Sequence, residues 1–325
     1  MKISRRDLGK MALASLPLSK AFGARMINSK IDGVQIGAIT YSFNRIASPD
    51  PEAIIRAYVD VGLGEAELTS DHCEALAGAP EAPAFVRYGG SARKGGGRPQ
   101  PTPEQQAERQ AAMEKLAHWR ASATAETWKG VRKKFNDAGI EVALLCYNMQ
   151  DRMKDEDIEY GFAMAKGLGA KAITTSTTLT MAKRIAPIAD KHKMMVGYHG
   201  HDATNDPNQT ATLESYDTLM AYGKYNAINL DIGHFTAAGY DAVAFIKQHH
   251  DKITNLHVKD RKKNHGPNVA VWGTGDTPIK EVMQLMKSEK YGFPANLELE
   301  YPIPEGSDII AEAKKCFAYV KSCLA

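Results

Sequence analysis

Two stretches decide the fold: Ala227–Asp231 (AINLD), continued by Ile232, Gly233 and His234, and Ile253–Lys259 (ITNLHVK), continued by Asp260 and Arg261. Each is a short apolar run of strand length that stops at a histidine or a carboxylate, and each is followed by residues with helical periodicity. Outward in both directions the same unit recurs. Strands are predicted to begin near Val34 (VQIGAITYS), Glu65 (EAEL), Glu141 (EVALLCY), Ala172 (AITTS) and Met194 (MMVGYH) on one side, and near Ala295 (ANLELE) on the other. Helical spacing follows them, for example over Pro51–Val61, Asp155–Gly167, Leu213–Tyr222 and Ile279–Lys287. Strands separated by helices imply right-handed crossovers and a parallel sheet. Eight such units predict an α/β fold closed as a (β/α)₈ TIM barrel over residues 31–325, with a doubly wound sheet as runner-up.

One connection breaks the rhythm. After the second strand, residues 78–97 are rich in Gly, Pro and Ala, and a polar helical stretch runs from Glu104 to Ala138. Connections of that length are usually functional, so residues 78–126 are read as an insertion or lid within the barrel. The tract Gly89–Gly97 lacks the terminal Gly-Lys-Ser/Thr of a phosphate loop. Gly167–Ala172 (GLGAKA) has the letters of a dinucleotide fingerprint but ends a helix and leads into a strand, the reverse of the required order. There is no G-x-S-x-G, H-E-x-x-H or C-x-x-C motif.

With 325 residues, 24% charged and 43% hydrophobic, the composition is that of a globular chain. The formal net charge of +3 is front-loaded: residues 1–23 carry a net +4, which leaves about −1 for the rest. A chain so balanced has no global field for a polyanion, so no nucleic-acid partner is expected. Those first residues pair Arg5 with Arg6, continue through a weakly apolar run and end in Ala21-Phe22-Gly23. They resemble a twin-arginine export signal, too short to be a stable membrane span, and imply a periplasmic or secreted enzyme. Cys73, Cys146, Cys316 and Cys323 form no disulfide framework. Helical spacing holds Cys316 and Cys323 about 10 Å apart, and Cys146 reads as a small core residue.

Chemistry collects at the strand ends. The fifth strand ends in Tyr198-His199-Gly200-His201-Asp202, the sixth in Asp231 and His234, the seventh in His257, Lys259 and Asp260, and the eighth in Glu298 and Glu300. In a barrel, these ends form one rim, with neighbouring strands about 4.8 Å apart, so the side chains converge. Singly, each has an ordinary alternative: His257 as a satisfied core histidine, Asp231 as a helix N-cap, Glu298 or Glu300 as an outward charge. Together, imidazole and carboxylate suit one divalent metal ion, Mn²⁺, Co²⁺, Zn²⁺ or Mg²⁺.

The motifs LDIGHF (Asp231, His234), HVKDR (His257, Lys259, Arg261), LELEYP (Glu300) and WGTGDTPIKEVM from Trp272 resemble the xylose isomerase-like TIM barrel superfamily of sugar isomerases and epimerases. The resemblance implies a single metal held by His199, Asp231, His257 and Glu300, with Glu298 as the alternative because residues two apart share a strand face. His199 stands where the family commonly has Glu. That removes a carboxylate often used as the base and leaves Glu300, His201, His234 and Lys259 as the acid–base candidates. Glu67, Arg261 and Tyr198 are assigned to the substrate, a small-molecule carbohydrate, and a homo-oligomer is compatible with the pattern. The implied activity is isomerisation or epimerisation through a metal-stabilised enediolate. The alternative is a lyase or hydratase that cleaves oxidised (3-keto) glycosides by elimination. An abasic-site endonuclease has the wrong charge and would need more ligands, and a non-catalytic sugar-binding barrel would be expected to lack these.

Overall fold

Val34–Ile39 is buried almost throughout, as a strand in a parallel barrel must be when side chains pack on one face and helices on the other. In the computed structural model, which describes residues 25–47, 50–81 and 102–325, this strand (β2) pairs on one side with Glu65–Thr69 (β3) and on the other with Ala295–Leu297 (β9). The order between them is sequential: Glu141–Cys146 (β4), Ala172–Thr175 (β5), Met195–His199 (β6), Asn226–Asp231 (β7) and Ile253–Val258 (β8), all parallel. All eight predicted strands are present and the sheet closes on itself, giving a TIM barrel. A ninth, two-residue strand, Lys30–Ile31 (β1), pairs antiparallel with β2 through a tight turn at Asp32 (φ 47°) and Gly33 (φ 90°).

The crossovers are ordinary amphipathic helices. Ala53–Val61 turns Ile54, Ile55, Tyr58 and Val61 onto the barrel and stops at Gly62, whose φ of 86° is the left-handed cap that ends a helix. Gly169, in the false dinucleotide motif, does the same for Asp155–Leu168 (φ 71°). The polar stretch expected over Glu104–Ala138 is two helices, Pro103–Ser122 and Ala125–Asp137. Ala123 (φ −68°, ψ 133°) and Thr124 (φ −120°, ψ 174°), both extended, separate them. The export signal at 1–23 and the Gly-rich tract at 89–97 lie outside the described residues. All four cysteines are free. Cys146 is only half-buried, because it ends β4 at the mouth. Among the described residues no helix is long and apolar enough to cross a membrane.

The barrel interior is unusually polar. Gly37, Glu67, Thr174, Asn229, Asn255 and Asn296 all lie inside it, every one of the last five with almost no exposure. Asn296 Nδ2 donates to Glu65 Oε2 (2.7 Å), and Asn255 Nδ2 donates to Asn296 Oδ1 (3.1 Å) and to Glu67 Oε2 (2.8 Å). Gly37 is the concession that lets this network fit, since a Cβ there would stand 1.6 Å from Glu65 Oε2 and 2.8 Å from Asn296 Nδ2. Both neighbours are buried and hydrogen-bonded to each other. Gly37→Ala is therefore expected to lower the unfolding free energy by about 1–3 kcal/mol, the usual cost of overpacking. Chemical denaturation measures it, and a change below about 0.5 kcal/mol would contradict this account.

Candidate metal centre

The register of the last four strands brings the functional side chains together. His199 is level with Asn229, Asp231 with His257, and His257 with Asn296, so the residue two further along the last strand, Glu298, comes into the same layer. One ligand atom from each of His199, Asp231, His257 and Glu298 lies within 4.8 Å of the other three. All four residues are buried. Of the two carboxylates on the last strand, the alternative, Glu298, enters this group, and Glu300 does not. β9 ends at Leu297, so the two-residue repeat of the pleat does not extend to Glu300, which sits on the rim with 27% of its side chain exposed.

The free atoms of the group decide what it is for. Asp231 uses Oδ1 to cap the helix Ile232–Ala237, accepting from the His234 amide at 2.7 Å. Its Oδ2, His257 Nδ1 and Glu298 Oε2 are buried without a hydrogen-bond partner. Their nearest charges are ion-pair neighbours without hydrogen-bond alignment, Lys259 Nζ beside Asp231 and Glu298 and Glu298 beside His257, and three such atoms facing one another fit a divalent cation. His257 Nδ1 lies 2.8 Å from Glu298 Oε2, too close for two lone pairs unless a positive charge is shared between them. Burial by itself lowers the His257 pKa, but the carboxylates of Glu298 and Glu67 outweigh it and hold the imidazole well above its ordinary value. Burial, aided by His201 and His257, pushes His199 well below its own, which keeps that ring neutral and able to ligate.

Lys259, 2% exposed, reaches over the group from the end of β8. Its Nζ lies 2.9 Å from Asp231 Oδ2 and 2.8 Å from Glu298 Oε2, but only the 2.5 Å contact to Glu300 Oε2 has hydrogen-bond alignment. The carboxylates of Asp231 and Glu298 thus feel its charge and Glu300 accepts its hydrogen bond. Gly233 in LDIGHF makes room for it, since a Cβ there would meet Lys259 Cγ at 2.4 Å. The neighbouring Asp260 points the other way. Its Oδ2 accepts from the amides of Gly273 (2.8 Å) and Gly275 (2.9 Å), which accounts for the WGTGDT motif as the loop that Asp260 folds.

Three predicted substrate residues are placed elsewhere. Glu67 lies in mid-strand and is wholly buried beneath the ligands rather than at the strand end. It receives hydrogen bonds from Thr174, from Asn255 (2.8 Å) and from His257 Nε2 (2.7 Å). It fixes the imidazole with Nδ1 aimed at Glu298 and the centre of the group, a role that sequence reasoning missed. Tyr198 is the odd residue beside His199, so the pleat turns it outward, and its hydroxyl donates to the Ala182 carbonyl in the helix layer (3.4 Å). Arg261 is locked: its guanidinium donates to the Gly266 carbonyl (2.7 Å), to Asp202 (3.1 Å) and to His234 Nδ1 (2.5 Å). His234 Nδ1 also lies 3.1 Å from Asp202 Oδ1, so that nitrogen is held between Arg261 and Asp202, while Nε2 turns to the site, 4.0 Å from Asp231 Oδ2 and 3.9 Å from Glu300 Oε2. His201 stands edge-on to both His199 and His234, and burial with the nearby His234 lowers its pKa to about 4.

The chain belongs to the xylose isomerase-like TIM barrel family, whose profile matches residues 110–320. No curated protein sequence compared with it matches. Among solved structures, a 3-keto-D-glucoside 4-epimerase from E. coli superposes with a TM-score of 0.59 at 11% identity, over 89% of this chain and 100% of that one. A sugar phosphate isomerase/epimerase from Parabacteroides distasonis gives 0.57 at 14%, over 93% and 98%. A xylose isomerase domain protein from Alicyclobacillus acidocaldarius gives 0.56 at 12%, over 89% and 98%. At such identities the likeness is one of fold.

If Glu67 holds His257 for a metal ion, Glu67→Gln should weaken divalent-metal binding about 10–100-fold, the usual cost of losing such a support. Calorimetric titration of the chelator-treated protein with Mn²⁺ or Zn²⁺ reads this directly. Asp231→Asn and His257→Ala should cost more. Unchanged affinity in all three would make the cluster a purely structural network.

Proposed function

We propose that the protein is a divalent-metal-dependent isomerase or epimerase that moves a proton at the carbon next to a sugar carbonyl. The observation that carries this reading is the set of three orphaned ligand atoms, Asp231 Oδ2, His257 Nδ1 and Glu298 Oε2, directly beside the rim pair Lys259–Glu300. When bound, the ion supplies positive charge to the substrate oxygens. The chain's own residues do the rest. Glu300 is the acid–base carboxylate outside the ligand group that reaches solvent, and it accepts the carbon-bound proton. Lys259 holds its charge beside the oxygens as they become negative. His234, its Nδ1 held between Arg261 and Asp202, turns Nε2 toward an oxygen between Asp231 and Glu300 as a hydrogen-bond partner. Glu300 then returns that proton to the sugar, while His201, its pKa lowered to about 4 by burial and by His234, stays an uncharged neighbour of the group.

A second reading has one observation in its favour. With His199 in the place of a carboxylate and Asp202 held by Arg261 and His234, Glu300 is left as a single base. One base suffices for elimination of a β-substituent from an oxidised glycoside, whereas epimerisation needs proton delivery to two faces. Both readings begin with removal of the proton α to the carbonyl. In D₂O the metal-loaded enzyme should place deuterium at that carbon of a ketose or a 3-keto-glucoside, and chelation should stop the exchange. A new sugar supports the first reading; a released aglycone with an unsaturated sugar supports the second. Lys259→Met should slow exchange about 10²–10³-fold, as expected for loss of a group aimed at developing charge. Exchange that survives both chelation and this substitution would end the proposal.

A further inference from the structure

A cavity of about 350 Å³ opens on the side of the mouth away from the ligands. Its floor includes Thr69 and Cys146, the paired last residues of β3 and β4, whereas the ligand group sits at β6 to β9. An eight-stranded barrel is about 15 Å across between backbones, so a single sugar ring seated on the ligand group leaves this cavity unfilled. The two regions share a wall residue. Tyr41 lines the cavity and also lines a second one, of about 300 Å³, that contains Glu300.

The far wall is built by helices that the barrel itself does not need. Ser70–Leu76 contributes Asp71 and Glu74. Pro103–Ser122 buries only Leu116, and that residue, with Met113 and Arg120, faces the cavity. The wall is rigid: Arg120 grips Glu74 through Nε (2.7 Å) and Nη2 (2.9 Å), and the Tyr160 hydroxyl donates to the same carboxylate (2.8 Å). The lining chemistry selects its occupant. Asp71, Glu74, Glu81 and Asp157 outnumber Arg120 and Arg152, and Arg120 is committed to Glu74, so a phosphate would meet net negative charge. The amide of Asn148 and the ring of Tyr147 suit a hydroxyl-bearing, uncharged ring.

We propose that the substrates are unphosphorylated glycosides of two rings: one lies over the His199–Asp231–His257–Glu298 group, and the second, neutral glycosyl ring occupies the cavity walled by Asp71, Leu116, Asn148 and the Arg120–Glu74 pair. This rests on the sugar-carbonyl reading above and narrows its substrate class. The test compares 3-keto-glucose, a 3-keto-glucosyl-glucose and a monosaccharide 6-phosphate on the metal-loaded enzyme. The two-ring compound should exceed the one-ring compound at least ten-fold in kcat/KM, and the phosphate should gain nothing. Leu116→Trp fills the cavity and should bring that ratio within about three-fold of unity. Ala75→Phe does the same from the half-exposed edge, in case the first variant does not fold. Calorimetry with unreactive cellobiose and glucose gives a readout independent of turnover, and cellobiose should bind at least ten-fold more tightly. If the one-ring ketose reacts and the second ring adds neither rate nor affinity, this inference is overturned and the reaction stands. If cellobiose binds in a cavity-dependent way while no keto sugar exchanges its proton, the reaction fails and the two-ring site stands. Preference for the phosphorylated sugar overturns the inference.

Discussion

Asp231 and Glu298 are buried side by side at the mouth of the barrel, 1% and 5% exposed, with the carboxyl group of Glu67 buried directly below. Two like charges in that setting are tolerated only if positive charge is built in beside them. The chain supplies Lys259 for the purpose, and burial, which alone would lower its pKa, is outweighed by Asp231, Glu298 and Glu300, which hold the ammonium in its charged form. Much else follows from seating that side chain. Gly233 must lack a Cβ, Asp260 must turn away to fold the loop that follows, and the helix after β7 must start at Asp231 so that one carboxylate oxygen is capped and the other is left free.

The same demand explains the polar interior. A carboxylate beneath His257 orients the ring but brings its own desolvation cost, which the hydroxyl of Thr174 and the amide of Asn255 offset by donating to it. Asn296 extends the network down to Glu65, whose carboxyl burial pushes well above its ordinary pKa with Glu67 adding to the effect. A neutral acid at that depth spares the barrel another buried charge. The usual apolar filling of such a barrel has here been exchanged for a hydrogen-bonded stack that fixes the clustered side chains at the mouth from below.

Part of this stack was legible in the sequence. Asn229-Leu230-Asp231, Asn255-Leu256-His257 and Asn296-Leu297-Glu298 repeat one pattern, Asn-Leu-ligand, on three successive strands. Residues two apart share a face, so each Asn lies one layer beneath its ligand. The repeat also favours Glu298 over Glu300, a choice that the family motif alone left open. The fold was readable for a related reason: eight strand–helix alternations are local patterns, and closure follows from them. Tyr198 was legible too, because the parity that points His199 inward must point it out. What could not be read was the place of Glu67, which depends on a register across the barrel, and the cavity, whose walls meet through Arg120 and Glu74, 46 residues apart.

The replacement of a carboxylate by His199 changes the electrostatic balance of the proposed reaction. The ligand group holds two formal negative charges, from Asp231 and Glu298, which a divalent cation would match, and Lys259 with Glu300 adds a neutral pair. Before the reaction, the hydrogen bond from Lys259 is spent on Glu300. When Glu300 takes the proton from carbon, its negative charge disappears, and the ammonium is released from that pairing just as charge develops on the substrate oxygen. Its attraction is thus weak toward the ground state and strong toward the transition state, which is the condition for lowering a barrel-mouth barrier rather than merely binding sugar. A third carboxylate in place of His199 would keep the site negative throughout and oppose that transfer of charge. On this argument the histidine is what allows the Lys259–Glu300 pair to act together, the carboxylate as acceptor of the proton and the ammonium as the charge that answers it.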